Sequence, residues 1–208
     1  MADVMPMFPL GSVLVPSMVL PLHVFEERYR RMVRDCLDGT PEFGVVLITR
    51  GSEVGGGDVR TDVGTVARMV EAAELPDGRF ALHCVGTRRI RVERWLDDDP
   101  YPRAEVDDWP DDVDGTPDDL AEGRDRALVE LRRALGLQAE LGDPAPPATV
   151  EVDLDPEPAS HQIAALAPIG PLDRQRLLAV PGTAGRLAAA HTLLVDAVEL
   201  LEARLALG

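Results

Sequence analysis

Residues Met7 to Leu37 read MFPLGSVLVPSMVLPLHVFEERYRRMVRDCL, two short apolar segments joined to an amphipathic one with little slack. Pro9, Pro16 and Pro21 each lack a main-chain donor and hold φ near about −65°. The spacing therefore predicts short strands at Met7–Leu10 and Val19–Val24, with proline at ends or edges. From Glu26 the period changes. Phe25, Tyr29, Met32, Val33, Cys36 and Leu37 recur at steps of three and four, while Glu27, Arg30, Arg31, Arg34 and Asp35 fall on other faces. That pattern predicts a helix over 26–38 with one buried stripe, stopped at Gly39 and followed by the apolar strand Phe43–Thr49.

Further along, RGSEVGGGDVR at Arg50–Arg60 reads as a glycine-rich surface loop. A strand over Val63–Leu75 ends in LPDGR, where Pro76, Asp77 and Gly78 supply the fixed φ, the side-chain cap and the positive φ of a hairpin turn. Arg79–Trp95 returns as one long strand, or as two broken at Gly86. After a turn at Asp97–Pro102 comes a further strand at Arg103–Trp109. Strands joined by tight turns, with one early helix, predict a small closed or nearly closed β-barrel.

Composition shifts at Trp109. Pro110–Asp119 reads as a solvated acidic linker, with Asp118 or Asp119 capping a helix whose apolar face carries Leu120, Ala127, Leu128, Leu131, Leu135 and Leu137 and which Gly142 ends. Asp143–Pro158 is acidic and proline-rich and is expected to be a flexible loop. Helices are then expected at Ser160–Ala167, from Asp173, and from Thr183, which is placed as the cap of the last helix. In that helix Leu187, His191, Leu194, Val198, Leu201 and Leu205 form one stripe. The helices are expected to assemble as a small antiparallel bundle. The expected organisation is a β-barrel subdomain over 1–110, an acidic linker over 111–118 and a helical subdomain over 119–208 containing the 143–158 loop.

The blocks FPLGSVLVPSMVLPLHVFEERYRRMV, FGVVLI, EVGGG, DVGTVARMVEAAELPDGRF, GTRRIRV and PYPRAEV resemble, in the same order, the N-terminal substrate-binding domain of the ATP-dependent protease Lon, which also occurs as a stand-alone protein. The resemblance spans about the whole chain. It implies an α+β fold: a PUA-like β pseudo-barrel with one packed helix, followed by a C-terminal α-helical bundle. It also implies substrate recognition without the motor and peptidase domains. Glu26, Arg28 and Tyr29 match the family's F-E-x-R-Y block and are read as structural, orienting the helix against the barrel.

The chain contains no lysine. A phosphate-binding P-loop needs one, and the glycine run at Gly55–Gly57 continues into DVRTD instead. The serine–lysine dyad of Lon-type peptidases is excluded for the same reason. Gly11-Ser12 and Gly51-Ser52 lack the second glycine of a nucleophile elbow, and the carboxylate pairs lie in polar runs where no desolvation tunes them. His23, His83, His161 and His191 show no metal-ligand spacing, His191 reading as a core histidine, and Cys36 and Cys84 stand outside any C-x-x-C pattern. Neither cofactor nor metal is expected. A formal charge of −16 disfavours nucleic acid and anionic membrane surfaces as partners. With no leader and no apolar run of about 18 residues, the expected location is the cytoplasm.

One basic feature stands against this background. Arg88, Arg89, Arg91 and Arg94 fall in GTRRIRVERW, with Arg89 and Arg91 on one strand face and Arg88 and Arg94 on the other. They either pair with local carboxylates or form a docking strip for peptide, and Arg89, Arg91 and Trp95 are the candidate contacts. The expected function is non-enzymatic capture of unfolded or extended polypeptides, through a groove between barrel and bundle or through an open strand edge, with a protease or chaperone as a further partner. A small-molecule or nucleotide-binding PUA-like regulator is the alternative, and an enzyme whose site spacing cannot reveal is a third.

Overall fold

The computed structural model describes residues 3–51 and 59–207, so the expected loop at 50–60 falls largely outside the described residues. These contain six strands and five helices: β1 (Asp3–Leu10), β2 (Val19–Val24), α1 (Glu27–Asp38), β3 (Glu42–Arg50), β4 (Val59–Glu74), β5 (Phe80–Trp95), β6 (Arg103–Asp108), α2 (Pro117–Glu140), α3 (Pro156–Leu166), α4 (Pro171–Leu178) and α5 (Thr183–Leu207). The class is α+β, and the chain divides into two compact units, residues 1–110 and 111–208.

In the first unit the strand order is β2-β5-β4-β3-β1-β6, and a further pairing of β5 with β6 closes the last five strands into a circuit. Closure depends on strands that change partner along their length. Asp3–Pro6 of β1 pairs antiparallel with β6, and Met7–Leu10 pairs parallel with β3. β1 is therefore longer than its apolar core suggests, and its parallel half, paired on one side only, tolerates Pro9. On β5, Phe80–Val85 lies between β2 and β4, whereas Ile90–Trp95 reaches β6. The strand is continuous. Its break is a register shift against β4 between Thr65 and Ala67, beside Gly86.

Every strand of the circuit contributes to one core of Met7, Val46, Val66, Ile90, Val92, Ala104 and Val106. A second core gathers Phe8, Leu20, Phe43, Met69, Phe80 and Cys84 under α1. Tyr29, Met32, Val33 and Cys36 are the buried stripe of α1, while Phe25 and Leu37 remain 58% and 46% exposed. Phe8 stacks on Tyr29 at 4.2 Å, and Arg28 lies 4.5 Å from the Tyr29 ring centroid and 3.1 Å from Glu26. These residues hold the helix, as their type suggests. Gly78, at φ +77°, closes the β4–β5 hairpin with Asp77 accepting from the Arg79 amide.

In the second unit the acidic linker is corrected. Asp111 is not solvated: its carboxylate meets Arg186, whose side chain is fully buried, and accepts from the Thr183 hydroxyl. Arg186 also donates through Nε to Ser160 Oγ at 2.8 Å and through Nη1 to the Val180 carbonyl. Asp114 accepts from the Ala184 and Gly185 amides at 2.9 and 2.8 Å, so the carboxylate capping α5 is remote in sequence and Thr183 is not the cap. A side chain at Gly182 would meet the Asp114 carboxylate, which explains the bare Cα there. Thr116 caps α2 in a reciprocal box with Asp119, so Asp119 is the third helical residue rather than the cap.

The helices do not form an antiparallel set. Gly123 lies beside Leu187, Arg133 pairs with Glu202 at 2.5 Å and Asp143 with Arg204 at 2.9 Å, so α2 and α5 run parallel. Ala127, Leu131, Ala134 and Leu135 of α2 meet Leu187, Ala190, Leu194, Val198 and Leu201 of α5 in one core that Ile163, Ala164 and Leu177 complete. The 143–158 segment, expected to be flexible, is anchored back along α2. Arg132 donates twice to the Val150 carbonyl, Arg124 donates to the Leu154 carbonyl, and Val150 and Val152 pack on the core. Its last residues already belong to α3, capped by Asp155.

Two predictions follow from these contacts. An alanine Cβ at Gly86 would sit 2.3 Å from the Val15 carbonyl oxygen, a backbone atom that cannot swing away. Gly86→Ala is expected to cost about 1–3 kcal/mol, read as a lower urea midpoint, and an unchanged midpoint would contradict the close approach. Asp111→Ala strands a buried guanidinium and is expected to cost about 3–5 kcal/mol. Adding Arg186→Leu recovers part of the loss, and strict additivity of the two replacements would show that they are not coupled.

Candidate functional site

One exposed surface of the first unit is the outer face of β2, β5 and β4. Strand alternation and register place its rows directly: Val19, Val85 and Arg68; Pro21, His83 and Glu71; His23, Ala81 and Ala73. The opposite face of the same ribbon carries Leu20, Cys84 and Met69 into the core. Val19 is 59% exposed, and Val70, extruded by a bulge between Met69 and Glu71, is 57% exposed. His83 Nδ1 lies 3.1 Å from Glu71, and these two, with Arg68 and His23, share the face with the valines, Pro21 and the alanines.

This face ends in a strand edge. Among the described residues β2 pairs only with β5. Gly86 donates to the Met18 carbonyl, which fixes the hydrogen-bonding parity: the main chains of Leu20, Leu22 and Val24 face β5, and those of Val19, Pro21 and His23 face outward. Pro21 sits where an N–H would otherwise be offered. An extended chain laid along β2 can bond the peptide groups of Val19 and His23, with Pro21 contributing its carbonyl alone.

The arginine strip lies elsewhere on β5 and separates into two kinds of residue. Arg88 is paired with Glu42 and Asp108, each at 2.8 Å, and Arg94 with Glu105. Hydrogen bonds from Arg94 hold the Glu105 carboxyl below its ordinary range. Arg89 is 4% exposed and stacks on Trp109, its guanidinium carbon 4.2 Å from the ring centroid. Arg91 is exposed and approaches the same ring at 4.2 Å. Trp95 is half-buried under the Arg60 guanidinium at 4.6 Å. The structure thus joins Arg89 and Arg91 through Trp109, which sequence reading passed over because it closes a strand beyond the motif.

A third feature is an open groove of about 400 Å³ lined by Val4, Pro6, Cys36, Glu42, Arg88 and Tyr101. Burial, with the neighbouring Asp35 carboxylate, pushes the Cys36 thiol up to about 12, so the sulfur is a packing group and weak donor to the Glu42 carbonyl rather than a nucleophile. Burial and the hydrogen bond to Asp35 likewise push Tyr101 up to about 12. Among the described residues no group of three or more His, Cys, Asp or Glu side chains could hold a metal ion, and no helix is long and apolar enough to cross a membrane.

With this geometry in hand, the comparisons with known proteins fix the family. The chain matches the substrate-binding domain of ATP-dependent protease La (LON) over residues 4–196, and it belongs to that family. A crystal structure of a Lon N-terminal domain protein from Xanthomonas campestris is similar at 30% identity and a TM-score of 0.63, covering 89% of this chain and 95% of that one. The N-terminal domain of the Mycobacterium avium complex Lon protease shares the fold at a TM-score of 0.65 and 16% identity, over 93% of this chain and 99% of that one. The Lon protease of Dictyoglomus thermophilum is 33% identical over 130 residues, 62% of this chain but 16% of that protein. Lon protease 2 of Herpetosiphon aurantiacus is 26% identical over 201 residues, 95% of this chain and 24% of that protein. The chain thus spans less than a quarter of the full length of these proteases.

The buried acids give a pH prediction. Cys36 and Tyr101 at about 12, and Cys84 at about 11 through burial, all lie above their ordinary values of 9.0 and 10.0. A raised value means the folded chain holds the proton more tightly, so this contribution is complete below about pH 9 and is lost as pH rises toward 11–12. Each group adds a slope of up to about 1.4 kcal/mol per pH unit. Urea midpoints between pH 7 and 10.5 should be level to about pH 9 and then fall, and a level curve to pH 10.5 would refute the burial.

Proposed function

We propose that this protein is a non-enzymatic recognition module that captures unfolded or extended polypeptide segments on the outer face of β2, β5 and β4. The observation that carries the reading is the apolar platform of Val19, Val70, Val85 and Pro21 beside an unpaired strand edge. The platform offers alternating side-chain sites while Val19 and His23 offer main-chain bonds, the combination by which extended peptides are held with little sequence preference. Membership of a substrate-binding family supports the same reading.

In this proposal the five-strand circuit is a PUA-like pseudo-barrel and residues 119–208 a helical bundle subdomain. The module works in the cytoplasm on protein clients, in concert with a protease or chaperone, without nucleic acid. The negative charge supports the last point, since a chain of −16 repels a phosphate backbone. Of the arginine-strip candidates, Arg91 is the one able to meet a client directly. Arg89 acts through the Trp109 ring it supports, and Trp95 through its stack with Arg60.

The test is binding of a permanently unfolded, fluorescein-labelled carboxymethylated protein, followed by anisotropy. Val19→Asp with Val70→Asp leaves the core untouched, because both side chains are more than half exposed. Affinity is expected to fall at least tenfold, with the far-UV spectrum unchanged. Equal affinity of parent and variant would remove this face from the function, and no binding by the parent would remove the function itself.

A further inference from the structure

The helical unit carries a second surface, separate from the sheet face. We propose that the groove between α2 and α5 is a docking site for a basic amphipathic helix of a partner polypeptide. Two hollows of about 520 and 440 Å³ run along these helices and share Arg126 and His191. On α2 the lining residues Asp119, Glu122, Arg126, Val129 and Glu130 follow helical spacing, and on α5 so do Ala184, Leu187, Ala188 and His191. From Asp119 to Glu130 the groove extends about 16 Å, the length of three helical turns.

Its floor is made of small groups. Gly123 presents no side chain, the position of its missing Cβ lying 3.6 Å from Leu187, and Ala184 and Ala188 stop at a methyl. A third helix can therefore approach two parallel ones closely, and Val129, 62% exposed at the rim, is placed to meet an apolar anchor. His191 is half-buried in this wall rather than in the core, because Ala190 takes the core position on α5.

The charge selects the partner. Residues 111–208 carry eighteen acidic side chains against eight arginines. Within the wall, no donor among the described residues hydrogen-bonds the buried Glu130 Oε2, and its ion pair with Arg133 is a loose one at 3.8 Å. A lysine or arginine on the exposed flanks of a docked helix complements Asp119, Glu122, Asp125 and Glu130, which outnumber the Arg126 of the same wall, while an acidic helix meets them as like charge.

The test uses an eighteen-residue peptide amide with leucine at core spacing and arginine on both flanks, and the same peptide with glutamate replacing arginine. Anisotropy with the full chain is expected to show binding of the arginine peptide that weakens at least tenfold from about 50 to 300 mM salt, and none of the glutamate peptide. Amide shifts induced by the arginine peptide should concentrate at 119–130 and 184–192. Ala188→Trp, which fills the groove from an exposed position, and Glu130→Gln should each lower affinity at least fivefold. Equal binding of the two peptides, or shifts outside the groove, would overturn the proposal. If Ala188→Trp fails to fold, the shift map on the parent chain decides.

Discussion

The first unit depends on one strand keeping three partners. Phe80–Trp95 must give its first half to β2 and β4 and its second half to β4 and β6, and only then do five strands enclose a common core. The change of partner happens beside Gly86, where the chain passes within reach of the Val15 carbonyl and tolerates no side chain. Everything described in that unit hangs on this crossing. It leaves β2 as an edge, puts alternate residues of β5 on the open platform, and carries Arg88 to Glu42 and Asp108.

Much of this was legible from local pattern. The strands around Pro9 and Pro21, the α1 stripe and the LPDGR turn rest on two periods and on restricted φ, which act over a few residues and leave their mark in the chain. The starts expected at Asp118 or Asp119, Ser160 and Asp173 lie two to four residues late, because capping residues and apolar spacing alone do not mark a proline as helical. Pro117, Pro156 and Pro171 instead occupy the first helical position, where a missing N–H costs nothing and the fixed φ suits the turn.

What could not be read was long-range and electrostatic. Asp111 looks like any other acid in a run of them, and only its meeting with Arg186, 75 residues away, makes it a buried group. The parallel course of α2 and α5 has the same origin, since it is set by the path of α3 and α4 and by side-chain pairs such as Arg133 and Glu202. For the candidate site, the outward positions of Val19 and His83 follow from alternation. That they share a platform with Val70 requires a bulge, and that Arg89 is hidden requires Trp109 to fold over it. Neither leaves a signal in composition.

Pro21 gives the open edge a kinetic character. A strand that pairs along an uninterrupted edge gains a bond at every second residue and zips closed, so its escape slows steeply with length. Here the ladder would be broken in the middle: a chain laid along β2 would find full main-chain partners at Val19 and at His23, and between them a proline that accepts but donates nothing. Two short grips separated by a gap release one at a time. Such an edge favours brief residence and prevents copies of the chain from fusing into a continuous sheet.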